Sequence, residues 1–127
     1  MQDAVDAFFG KKNIAVVGAT DRPEKYGYKV FRKLLDHGYH VFPVHPTLSV
    51  IDGIQVFKSL SEIPEKVEAV EVIVNPSVTE EVVKECHKLG VGLVWMQPGA
   101  ESDSAIEFCH THGIVCIHDM CVLSYPG

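Results

Sequence analysis

Five short apolar runs recur along the chain. They occupy positions 13–17, 40–44, 69–74, 92–96 and 114–118, and their starts lie 22 to 29 residues apart. Each is rich in Val and Ile and holds no regular polar alternation. Such runs suit strands buried on both faces of a parallel sheet. The spacing leaves room between them for a crossover helix, and the intervening segments carry helical patterning. Positions 25–37 place Val30, Phe31, Leu34 and Leu35 on one face, with Gly38 as a stop. Thr79 is the predicted N-cap of the next helix, whose stripe is Val82, Val83, Cys86 and Leu89. Ser102 or Asp103 opens the last, and positions 3–9 predict a short leading helix.

Strands alternating with helices at this period predict an α/β fold, a three-layer doubly wound parallel sheet of the Rossmann-like kind. Asp52-Gly53 signals a turn, positions 55–57 a short edge strand and 61–64 one helical turn. With that edge strand counted third, the expected order is 3-2-1-4-5-6. The 127 residues suffice for one such domain, spanning 1–127, with no second lobe.

Composition narrows the function classes. The net charge of −6 argues against general nucleic-acid binding. No apolar run approaches a membrane span, and the N-terminus MQDAVDAFFG lacks the basic and apolar regions of a secretory signal. The four cysteines (86, 109, 116 and 121) form no CxxC pair, which suits reduced thiols in a cytoplasmic protein. Cys116, His118 and Cys121 match no zinc spacing. Cys86, Cys109 and Cys116 read as small core residues.

Ligands on doubly wound sheets bind outside the carboxyl ends of the strands, where the strand order reverses. Those ends are Gly18-Ala19-Thr20 and Asn75-Pro76-Ser77, flanked by Val44-His45-Pro46 and Gln97-Pro98-Gly99. The first loop is the most informative. Gly18 permits a tight turn, Thr20 offers a hydroxyl, and amides at the following helix start attract phosphate. Arg22, Lys25, Lys29, Arg32 and Lys33 put five of eleven basic residues within twelve positions. Arg22, within the loop, is the best phosphate partner, whereas Arg32 and Lys33 read as a solvated helix face. The loop lacks the second and third glycines of GxGxxG, and His45 stands where an NAD site wants an acid. An NAD(P)-binding regulatory or oxidoreductase module is therefore the alternative reading.

The segments GATDRPEKYGYKVFRKLLDHGYHVFPVHP, SLSEIP, WMQPG and DMC together resemble the stand-alone CoA-binding domain family. These are small Rossmann-like proteins related to the CoA-binding domain of the succinyl-CoA synthetase α subunit. The resemblance spans roughly residues 11–122. It implies binding of coenzyme A or an acyl-CoA, without catalysis or together with a partner. By matching position it implies Gly18, Ala19, Thr20 and Arg22 as the phosphate loop, and Tyr26 and Lys29 as its supporting helix start. Val44 and Pro46 would border the adenosine, Asn75 and Pro76 the pantetheine, and Gln97, Pro98 and Gly99 the far rim. The family commonly has Asn where His45 stands and Arg where Met120 precedes Cys121.

No Ser/His/Asp or Cys/His spacing marks a nucleophile. Cys121 follows the last run on the expected ligand side, where its thiol could form a mixed disulfide with CoA or simply pack the C-terminal end. Trp95, Met96 and the basic helix face are the candidate surfaces for a homo-oligomer or protein partner.

Overall fold

The computed structural model describes residues 2–126. The elements in chain order are α1 (Gln2–Phe9), β1 (Asn13–Val17), α2 (Tyr26–Asp36), β2 (His40–Val44), β3 (Val50–Ile51) and β4 (Ile54–Gln55). There follow β5 (Ala69–Val72), α3 (Pro76–Leu89), β6 (Leu93–Met96), α4 (Asp103–Thr111) and β7 (Val115–Ile117). Single 3₁₀ turns occupy Leu60–Glu62 and Val122–Ser124.

Five strands form one parallel sheet in the order β2-β1-β5-β6-β7. The strand order reverses between β1 and β5, as expected. The sixth strand is a correction. Positions 54–55 pair antiparallel with β3 in a separate hairpin, turned through Asp52 and Gly53, both at positive φ. Only Phe57 joins the main sheet, through a single parallel bridge to Val44. The chain is too short there to serve both the hairpin and a full edge strand.

Alternate residues of each strand enter two cores, the consequence of period-2 side chains in a doubly covered sheet. Ala15, Val17, Val70, Val72, Val94 and Met96 face α3 and α4. Ile14, Val16, Ala69, Leu93, Trp95 and Ile117 face α1, α2 and the C-terminal turn. Burial of each larger side chain stabilises the fold by about 1.5–3 kcal/mol. Trp95 and Met96 are fully buried, so neither is an interface residue on this surface. Trp95 packs edge-on against Phe8, Phe9 and Tyr125, and its Nε1 donates to the Met120 carbonyl at 2.8 Å. That contact ties the segment beyond β7 to the sheet.

The helix starts match the sequence reading at one end and depart at the other. Ser102 caps α4, its Oγ accepting from the Ala105 amide at 3.3 Å. The cap of α3 is Asn75, four residues before the expected Thr79. Pro76 stands at the first helical position, where its fixed φ and missing N–H cost nothing. Thr79 is buried inside the helix and donates its hydroxyl to the Asn75 carbonyl at 3.3 Å.

Candidate functional site

Two glycines bring the first loop against the sheet. Gly18 has φ +100°, and a Cβ there would lie 2.1 Å from the Ile73 carbonyl oxygen. A Cβ on Gly27 would lie 2.1 Å from the Gly18 carbonyl oxygen. The start of α2 therefore sits directly on the loop, closer than any side chain permits. Gly27 does the work that a later glycine does in the dinucleotide fingerprint, but from within the helix.

The result is a cleft of 460 Å³ at the carboxyl ends of β1, β2 and β5. Gly18, Thr20, Arg22, Lys25, His45 and Pro46 are among its lining residues. Among the described residues no side chain caps the N-terminus of α2; the Tyr28 amide donates to the Lys25 carbonyl at 3.2 Å, and the first two helical residues, Tyr26 and Gly27, line this cleft. A smaller cleft of 160 Å³ adjoins it, lined by Tyr26, Ile73, Gln97, Pro98 and Cys121. Tyr26 and Ile73 line both, so the two clefts form one continuous groove. The exposed Tyr26 ring stands between them, with Lys29 Nζ 5.4 Å from its centroid.

The remaining sequence candidates serve the groove from behind or lie outside it. Ala19 and Val44 are buried in the two cores. Asn75 and Pro76 start α3 and line neither cleft. Gly99 also lines neither, and its amide donates to Glu101 Oε1 at 2.9 Å. Ile73, Val74 and Gly27 line the larger cleft and were not singled out from sequence, whereas Lys25 of the basic cluster lines it and Lys29 does not. Gly27 could have been found from its place in the first turn of a helix that otherwise has no reason for glycine.

The basic residues divide differently from the expectation. Arg32 forms ion pairs with Asp36 and Asp52, and Lys33 Nζ donates to the Val122 carbonyl at 2.9 Å. Lys33 thus ties α2 to the C-terminal turn, whereas Arg32 makes its pairs on the exposed surface, as a solvated face would. Burial lowers the Lys33 ammonium below its ordinary range. Arg22 and Lys25 are left to the cleft.

His45 occupies the position where the resembled family has Asn. Its Nδ1 accepts from the amides of Thr47 and Leu48, each at 3.1 Å. Those bonds place the ring proton on Nε2. The imidazole thus holds the turn after β2 as a short amide side chain would.

Two residues before Ile73, which lines the smaller cleft, lies Glu71. It is fully buried, and neither carboxylate oxygen has a hydrogen-bond partner among the described residues. Burial raises its pKa well above the glutamate range, and the nearby Cys121 adds to the shift. Gln97, also buried, accepts from the Val122 amide at 2.9 Å and directs its Nε2 to Cys121 Sγ at 3.5 Å. Of the other thiols, Cys86 and Cys109 are buried and Cys116 half-buried. Burial raises Cys86 to a pKa of about 12.

A depression of 650 Å³ lies at the opposite, amino ends of the strands, lined by Asp3, Lys11, Lys66 and Glu68 among others. Its charges are mixed and the helix turn that lines it, the first of α1, carries the acidic Asp3, so the groove is the better candidate for an anionic ligand despite its smaller volume. Among the described residues, no helix is long and apolar enough to cross a membrane.

The chain is 32% identical over 129 residues to the α subunit of an ADP-forming acetate–CoA ligase II from Pyrococcus furiosus, a match covering 93% of this chain. It spans only 28% of that subunit's length. An uncharacterised Bacillus subtilis protein, YneT, is 31% identical over 87% of this chain and 82% of its own. A solved hypothetical protein from Pyrococcus horikoshii superposes with a TM-score of 0.92 at 32% identity, covering 97% of this chain and 87% of that one. The sequence pattern of the CoA-binding domain matches residues 12–125. The chain therefore belongs to the CoA-binding domain family.

Proposed function

We propose that the protein binds coenzyme A, or an acyl-CoA, along the groove at the carboxyl ends of its strands. The observation that carries this reading is the cationic cleft created by the Gly18–Gly27 contact. There Arg22, Lys25 and the uncapped start of α2 face one space. Fixed cations and backbone amides are the donor set that phosphates require. The two clefts together fall in the size range of small-molecule sites, about 300–1,000 Å³. They also differ in character, as a bipartite ligand demands. The larger is cationic, suited to phosphates, with Pro46 and His45 at its adenosine side. The smaller is neutral and holds Gln97, suited to an uncharged pantetheine arm. Tyr26 stands where the two parts of such a ligand would join. Among relatives, the acetate–CoA ligase subunit extends well beyond the region matched here. A protein that supplies the missing chemistry is the partner this reading expects.

Calorimetry with CoA, pantetheine, NAD, NADP and ATP tests the assignment. Heat of binding with CoA that exceeds that with the other nucleotides is the expected result. Binding of NAD without CoA would overturn it in favour of a dinucleotide module.

A further inference from the structure

Cys121 is the one thiol that lines the groove, and it does so at the neutral end. Three features set it apart from a packing cysteine. Its sulfur receives the Nε2 of a buried Gln97 at 3.5 Å, and Gln97 is itself locked by the Val122 amide. Its cleft is continuous with the cationic one through Tyr26 and Ile73. Two residues before Ile73, which shares this cleft, lies Glu71, fully buried and with neither oxygen partnered among the described residues. A buried carboxyl with no partner costs stability and serves no packing purpose that an apolar residue would not serve better. Its position marks the surroundings of Cys121 as built for more than packing. Held protonated by burial, Glu71 also places no anion near the sulfur.

We infer that Cys121 is a covalent docking point, forming a mixed disulfide with the thiol end of CoA by exchange with CoA disulfide. This rests on the CoA-binding reading above. In the exchange, the Cys121 thiolate attacks one sulfur of CoA disulfide. The Cys121–CoA S–S bond forms as the CoA–CoA S–S bond breaks. One CoA leaves as thiolate and takes up the proton that Cys121 gave up. No further oxidant is needed, and excess thiol reverses the step. The nucleotide half, held at Arg22 and Lys25, would present the disulfide to Cys121 at an effective concentration of order millimolar. The protein would then hold or release CoA according to the thiol–disulfide balance around it.

The test is intact-mass spectrometry of the reduced full chain after exposure to micromolar CoA disulfide, with peptide mapping of the modified site. Glutathione disulfide is the comparison, since it carries the same bond without the nucleotide. The expected result is one CoA adduct on Cys121, formed about 100-fold faster than the glutathione adduct at 10 µM reagent, the ratio of a millimolar effective concentration to the bulk. Cys121→Ser should abolish it with an unchanged thermal melt, and Cys116→Ser should leave it. Arg22→Ala should slow the CoA reaction toward the glutathione rate. Calorimetric CoA binding together with an adduct elsewhere, or with equal rates for the two disulfides, would overturn the covalent role and leave the binding reading standing. Absence of both CoA binding and nucleotide-dependent rate would overturn the binding reading itself.

Discussion

Replacing Glu71 by Leu should stabilise this protein, and increasingly so as the pH rises. In the fold, burial keeps the Glu71 carboxyl protonated well above the range where an exposed glutamate ionises. In the unfolded chain it loses its proton near pH 4.5, the ordinary value. Above that pH the unfolded state binds fewer protons than the native state, so stability falls as pH rises. While the fold keeps the proton, the loss approaches about 1.4 kcal/mol per pH unit. The loss accumulates over the whole pH range in which the native carboxyl keeps a proton that the unfolded chain has lost. The leucine variant lacks this loss, and it also removes an unsatisfied buried group worth about 1–3 kcal/mol. Urea unfolding of both proteins at pH 5, 6 and 7 gives the difference, in which all other titrating groups cancel. Glu71→Gln separates the two effects, because it abolishes the titration while keeping a buried polar group. Parallel pH profiles for wild type and Glu71→Leu would refute the reasoning, since they would mean that Glu71 is ionised and paired in the native state.

Other expectations follow from the groove and the caps. Arg22→Ala should weaken CoA by about 10- to 100-fold, the value of one or more charged hydrogen bonds, and leave pantetheine nearly unchanged; equal losses in calorimetry would remove Arg22 from the phosphates. Gly27→Ala forces a methyl onto the Gly18 carbonyl and should cost about 1–3 kcal/mol in urea unfolding as well as CoA affinity; wild-type behaviour would show that the loop relaxes freely. His45→Asn should retain the turn after β2 and its melting temperature, whereas His45→Ala should lose both amide bonds and about 1–2 kcal/mol; identical melts for the two variants would count against the turn role. Ser102→Ala should cost about 0.5–2 kcal/mol through the lost cap of α4, read from the same unfolding curves, and no change would mean that the cap is redundant.

Much of this architecture was legible because it is local. The runs at 13–17 and 40–44 coincide with β1 and β2, and the run at 69–74 overshoots β5 only at Ile73 and Val74, which line the cleft. Misreadings arose where two local signals compete. Thr79 is a good capping residue, but Pro76 opens the helix a turn earlier. The 55–57 run has strand-forming residues, yet the Asp52-Gly53 turn draws its beginning into a hairpin. The groove residues Gly18, Thr20, Arg22, His45, Pro46, Gln97 and Pro98 were visible as strand-end loops, whereas Tyr26, at the start of α2, came only from the family resemblance. Asn75 and Gly99 share that signature without lining either cleft, because a loop pattern does not report which way its backbone turns.

The sequence by itself determined the parallel sheet, its reversal between β1 and β5, and therefore the edge on which a ligand would sit. Those features follow from periodicity, turn residues and the handedness of crossovers, each set by near neighbours in the chain. Only the tertiary structure decided that Gly27 rests on Gly18, that Lys33 reaches the Val122 carbonyl, and that Glu71 is buried within electrostatic reach of Cys121. Parallel strands stand about 4.8 Å apart however many residues separate them. Through-space meetings of this kind leave no trace in local pattern, and here they bring a buried acid on β5 toward a thiol beyond β7.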